Sequence, residues 1–188
     1  MDYSKVCNFV EVENIFDAEQ NFLNALQYKI LHSQKILKLL HNIKSKRPLD
    51  CDDYTEDYIL DNILDKNIFF NPKNEDLEYK GESLLYLSSK VTYQDFYTSN
   101  IGIYIMIVID NKYIDINNGL NRKNRLKSAI LTELEGFNQS YLIGTLKHQK
   151  SSDIISQLPI NYSGTRMLFS ATGFTTKDLD KNYVRSNQ

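Results

Sequence analysis

The chain is poor in the residues that several functional classes require. Seven glycines in 188 residues leave little from which to build a phosphate-cradling loop, and neither a Walker-type nor a dinucleotide Gly motif is present. Two cysteines, Cys7 and Cys51, are too few and too far apart for a disulfide framework or a cysteine-rich zinc site. Two reduced thiols are expected, with a single disulfide as the alternative. Of the three histidines, His32 and His41 stand nine residues apart on one helical stretch and cannot share a metal, and His148 has no ligand-spaced neighbour. No metal and no cofactor are therefore expected. The longest apolar run, Ile101 to Ile109, is about half the roughly 18–20 residues that span a bilayer. The segment Met1 to Cys7 lacks a basic region followed by an apolar one. No membrane association and a cytoplasmic location are the expectations.

What is present describes a globular chain with a divided charge. Apolar residues make up 41% and charged residues 24%, ordinary proportions for a packed domain. Residues 1–120 hold 12 Lys/Arg and 19 Asp/Glu, a net of −7; residues 121–188 hold 10 and 5, a net of +5, giving the −2 of the whole. An acidic body carrying a basic end points to a polyanionic partner for that end.

Hydrophobic spacing suggests the elements. Asn14 is a good helix N-cap with Asp17 three residues on, and Phe22, Leu23, Leu26, Ile30, Leu37, Leu40 and Ile43 recur mostly at helical steps until Pro48. A second amphipathic helix is expected from Tyr54 to Lys66. Ser83–Leu87, Ile101–Ile109 and Tyr113–Ile116 read as strands, the last two joined by a hairpin turn at Asp110-Asn111-Lys112. Residues Tyr104 to Ile109 are apolar at every position, which predicts a central strand covered by helices on both faces. A third helix begins near Arg122, with Leu126, Ile130, Leu134 and Phe137 on one side and Gly136 as its stop. These elements predict an α+β protein: an N-terminal helical pair on a small antiparallel sheet, followed by a mainly helical C-terminal segment. The division is an acidic body over 1–137 and a basic segment over 138–188, with one domain over 1–188 as the alternative.

In the basic segment, Tyr141, Leu142, Thr145 and Leu146 have the spacing of a support helix. Ser151 and Ser152 would cap a second helix with Ile154, Ile155 and Leu158 inward, and Pro159-Ile160-Asn161 would form a turn. A recognition helix would run from Asn161 or Tyr162 to about Ala171. This stretch resembles the C-terminal helix-turn-helix module of LuxR-type transcription regulators, whose polar-polar-acidic-Ile opening and Leu-x-Ile-Ser spacing Ser151 to Asn161 approximate. The resemblance implies DNA contacts at Ser163, Thr165, Arg166 and Lys177, with Lys150 on phosphate. In that helix Gly164 would cost on the order of 1 kcal/mol relative to Ala. The alternative is that Met167-Leu168-Phe169 belongs to a buried strand.

Three functions follow. The leading one is a small regulatory protein that binds DNA through its basic end and catalyses nothing. The second is a non-catalytic protein-binding module, such as an immunity protein, an inhibitor or a virus- or plasmid-encoded antagonist, that meets a protein partner or a second copy through Asp53, Glu56, Asp57 and Asp61 on the acidic helix. The third is a metal-dependent nuclease. Asp95 followed by Asp110-Asn111-Lys112 matches its two acids and water-orienting lysine, although Asp-Asn-Lys between two strands reads better as a hairpin turn.

Overall fold

A computed structural model of the chain describes residues 15–70, 82–93, 99–138, 144–154 and 158–172. Its helices are α1 (Ile15–His32), α2 (Gln34–His41), α3 (Glu56–Asn62) and α4 (Arg122–Leu134). Its strands are β1 (Ile68–Phe70), β2 (Ser83–Tyr93), β3 (Ser99–Asp110), β4 (Asp115–Ile116), β5 (Leu120–Asn121), β6 (Lys147–Ile154) and β7 (Tyr162–Thr172). Five strands form one mixed sheet in the order β1-β2-β3-β7-β6, and β4 pairs with β5 in a separate ribbon. Only the β1–β2 pairing is parallel; β2–β3, β3–β7 and β7–β6 are antiparallel. No helix among the described residues is long and apolar enough to cross a membrane.

Strand periodicity divides this sheet into two unlike faces, since successive side chains point to opposite sides. Ile101, Ile103, Ile105, Ile107 and Ile109 of β3 lie on one face with Leu85 and Leu87 of β2 and Met167, Phe169 and Ala171 of β7. That face packs against Leu26, Ile30, Leu37, Leu40, Leu126 and Ile130 of α1, α2 and α4 in one continuous core. Among the described residues, the opposite face has only a small cluster at one end, where Leu84, Tyr86 and Val108 are buried with Phe69, Met106, Leu158 and Tyr162 beside them. The expectation of helices over both faces of β3 is therefore corrected: one face is covered and the other is largely open.

A buried cation ties α4 to the end of α2 and to the turn after β3. Arg122, the first residue of α4, is 1% exposed. Its Nη1 donates to the carbonyls of Leu39 at 2.9 Å and Asn42 at 3.4 Å, its Nη2 to Ile43 at 2.9 Å and Ser45 at 2.7 Å, and its Nε to Tyr113 at 3.1 Å. The carbonyls of Leu39, Asn42, Ile43 and Ser45 lie at or just beyond the C-terminal end of α2, where a positive charge is favourable. Burial lowers the guanidinium pKa to about 10, so it remains charged at neutral pH.

The predicted fold class is corrected at several points. The C-terminal segment is not mainly helical: β6 and β7 are the long elements there, and the sheet is five-stranded and mixed. The eleven residue pairs between β3 and β7 place the acidic and basic segments in one sheet. The first long helix is two helices that break at Ser33, whose hydroxyl turns away to donate to Glu133 at 2.9 Å rather than capping α2. The acidic helix is shorter than Tyr54–Lys66, starting after its cap Thr55 and ending at Asn62. Tyr113–Ile116 does not return along β3; a 3-10 turn over Asn111–Tyr113 leads instead into the β4–β5 ribbon. Cys7, Asn14, Tyr141, Leu142 and Ile155, which entered the sequence reading, lie outside the described residues.

Candidate nucleic-acid interface

β7 sorts the residues expected to contact DNA. Thr165 faces the helix layer, fully buried, with its hydroxyl donating to Asp153 Oδ1 at 2.8 Å. That hydrogen bond, and one from Lys123 Nζ at 3.0 Å, hold the Asp153 carboxyl below its usual range. Ser163 lies on the same face and donates to Asn111 Oδ1 at 2.5 Å. Both are structural rather than available to a ligand. Arg166 has the opposite parity and is exposed on the open face, as is Lys150 of the edge strand β6. Lys177 lies outside the described residues. The helix-turn-helix geometry is absent here, because residues 162–172 are a strand hydrogen-bonded on both sides and 151–154 belong to its neighbour.

The pairing register assembles the open face into rungs that cross four strands. Tyr86, Met106, Arg166 and Ser152 form one; Ser88, Tyr104, Leu168 and Lys150 the next; Lys90, Gly102, Ser170 and Lys147 the third. Successive rungs on one face are about 7 Å apart and adjacent strands about 4.8 Å. The three rungs carry four cations, Lys90, Lys147, Lys150 and Arg166, and no acid. All four are exposed, and none makes an ion pair among the described residues. Tyr104, in the middle rung, is 36% exposed. A Cβ built on Gly102 would lie 3.6 Å from Tyr104 Cε2 and 3.9 Å from Leu168 Cδ1, ordinary contact distances, so the Tyr104 ring lies close over this position of the sheet. Beyond the third rung the face continues into a cleft of about 540 Å³ lined by Asn100, Gly144, Lys147, Gln149, Ser170 and Thr172.

Sequence reasoning missed Lys90, Tyr104 and Lys147. The one local signal was the alternation in β3, where Gly102, Tyr104 and Met106 interrupt an otherwise unbroken series of isoleucines. The other expected sites are not drawn into this face. Asp53, Glu56, Asp57 and Asp61 belong to the helix layer, on or just before α3, whose Ile59 enters the main core. Asp53 pairs with Lys38 at 2.5 Å, and Glu56 is half-buried while Asp57 and Asp61 are exposed. Asp110 accepts from the Lys112 backbone at 3.0 Å and its carboxylate lies 3.3 Å from Lys112 Nζ, an arrangement that closes a turn. Asp95 lies outside the described residues, and no group of three or more metal-ligating side chains occurs among those described.

The YomW family model matches residues 33–171. The chain belongs to the YomW family. That match covers about three-quarters of the sequence and takes in α2 to α4 and, to within one residue, every strand. All three rungs of the open face fall inside the YomW region, whereas α1 and Lys177 fall outside it. No curated protein matches the chain.

Proposed function

We propose that this protein binds a nucleic-acid strand along the open face of its sheet. Lys90, Lys147, Lys150 and Arg166 take the phosphates, and Tyr104 lies beneath an unstacked base. The observation that carries the reading is the set of three acid-free rungs, with four exposed cations that make no ion pair among the described residues around an exposed tyrosine. Basic grooves with aromatic platforms suit single strands, because every base offers a π-face and every nucleotide a charge. A sheet this broad cannot enter a major groove of about 12 Å, which admits a helix or a two-stranded ribbon, so a single strand is favoured over duplex DNA. The acids elsewhere on the chain repel a polyanion and favour its approach to this face. The mechanism is occupancy, without chemistry.

Fluorescence anisotropy of a labelled single-stranded oligonucleotide tests this. Four phosphate contacts give a slope of log K against log salt of about −2.8, or a loss on the order of fiftyfold between about 50 and 200 mM salt. Arg166→Gln is expected to weaken binding and reduce the slope by about 0.7. Absence of binding at the lower salt, or a slope near zero, overturns the proposal. A second reading, a basic protein docking on the α3 side, draws support from Tyr58, which is 40% exposed next to Asp57. Capture of a basic protein that competes with no oligonucleotide would favour it.

A further inference from the structure

On the helix side, away from the open face, three polar side chains from α2, α3 and the turn before β1 form a hydrogen-bonded relay. His41 Nε2 lies 2.9 Å from the Tyr58 hydroxyl, and His41 Nδ1 lies 3.0 Å from Asn67 Oδ1. The far end determines the protons. Asn67 Nδ2 donates to the Ser83 carbonyl at 2.9 Å, and a carbonyl can only accept, so the amide nitrogen must face Ser83 and the amide oxygen must face His41. That oxygen also only accepts, so Nδ1 carries a proton. In the neutral imidazole Nε2 is then the basic nitrogen, and the Tyr58 hydroxyl donates to it. The ring is held in place by edge-on contacts with Tyr54 and Tyr58 at 5.5 and 5.6 Å. Tyr58 itself is 40% exposed.

A nucleophile hydrogen-bonded to a base, with the base oriented by a third group, is the arrangement that activates a hydroxyl. We propose that Tyr58 is such a nucleophile, with His41 as its base and Asn67 as the positioning residue, and that it accepts an acyl group from an activated ester or thioester bearing no net negative charge. The restriction on charge comes from the surroundings. Asp57 adjoins Tyr58, Asp61 lies three residues on along the same helix face, and both are exposed. Lys38, one turn before His41, is already paired with Asp53. An anionic donor would meet repulsion there. In the step, Tyr58 Oη attacks the acyl carbon and a new C–O bond forms. The bond from that carbon to the leaving oxygen or sulfur breaks, and the Tyr58 proton passes to His41 Nε2 and then to the leaving group. The products are an O-acyl tyrosine and a free alcohol or thiol, with no change of oxidation state.

The probe is p-nitrophenyl acetate, a neutral activated ester, with acetylation located by peptide mass spectrometry. Tyr104, 36% exposed against 40% for Tyr58 and with no histidine beside it among the described residues, is the internal reference in the unaltered protein. Tyr58 is expected to acetylate faster than Tyr104 by on the order of a hundredfold, the scale of a positioned general base. His41→Gln should bring Tyr58 down to the Tyr104 rate while leaving Tyr104 unchanged. Asn67→Ala should slow Tyr58 selectively while leaving the Tyr104 rate unchanged. Equal labelling of the two tyrosines in the unaltered protein overturns the proposal without any variant having to fold. A burst of nitrophenolate that survives Tyr58→Phe but is lost in His41→Gln would also overturn it, since His41 would then be the nucleophile.

Discussion

Gly164 separates the strand from the helix-turn-helix by the sign of one substitution. In a recognition helix, Gly164→Ala would stabilise by about 1 kcal/mol, the ordinary gain of Ala over Gly in a helix interior. In β7 the new methyl has no room. A Cβ at Gly164 would stand 2.5 Å from Leu158 Cδ1, 3.2 Å from the Ile107 carbonyl oxygen and 3.3 Å from Ile154 Cδ1. Carbon atoms prefer separations of about 3.5–4.0 Å, so Leu158 must retreat by about 1 Å or more. The Ile107 oxygen belongs to the paired backbone of the central strand and has little freedom to move. Overpacking of this kind costs about 1–3 kcal/mol. Replacing Gly within a strand returns about 0.5–1 kcal/mol of backbone entropy. The net expectation is a change of about 0 to 2.5 kcal/mol towards lower stability, read as a lower urea midpoint at unchanged slope. In a Leu158→Ala background the clash is relieved and the loss should shrink, because the two sites are coupled through one contact. A Gly164→Ala protein more stable than the parent by the about 1 kcal/mol that a helix would give would refute the strand packing.

Three further outcomes are expected. Arg122→Met strands the Leu39 and Ile43 carbonyls in the interior and removes the charge at the end of α2. It should cost on the order of 3 kcal/mol and lower the melting temperature by several degrees in a calorimetric scan. Ile107→Ala, at a fully buried position of the central strand, should cost about 2–5 kcal/mol in the same denaturation assay. Tyr54 has its phenol pKa raised to about 12 by burial first, then by the neighbouring Tyr58 and Cys51. Its folded pKa exceeds the unfolded value of 10, so its contribution to stability is complete below pH 10 and is lost as pH rises towards 12. Ultraviolet phenolate titration should show a late-ionising tyrosine in the parent that Tyr54→Phe lacks.

Local signals identified some elements and could not supply the assembly. α4 was legible because Leu126, Ile130 and Leu134 recur at helical steps and because Gly136 ends it at φ +76; its cap, Asn121, accepting from the Asn124 backbone at 3.1 Å, was not recognised. β3 was legible from its isoleucines. β7 was misread because Ser, Thr, Arg and Ala occur readily in a helix, and its period-two burial of Thr165, Met167, Phe169 and Ala171 was outweighed by a motif-like spacing upstream. The break at Ser33 was invisible because a mid-helix serine is nearly neutral and its partner, Glu133, lies a hundred residues away. The same limit applies to the site. Lys90, Tyr104, Lys150 and Arg166 come from four strands, and only the order β2-β3-β7-β6 makes them neighbours. His41, Tyr58 and Asn67 likewise meet only once α2, α3 and β1 are packed. The basic balance of residues 121–188 suggested a polyanion, and three of its cations, Lys147, Lys150 and Arg166, do stand on the open face. Lys90, which completes the set, comes from the acidic part of the chain.

Photocrosslinking tests the central claim most directly. An iodouracil-substituted single strand, irradiated in complex with the protein and digested, reports the residue beneath a base. Tyr28, Tyr58 and Tyr104 are comparably exposed at 37%, 40% and 36%, so exposure alone would label them alike. The account predicts an adduct on Tyr104, lost when Lys150 and Arg166 are replaced by glutamine. Adducts confined to Tyr28 and Tyr58, with Tyr104 unmodified, would contradict it.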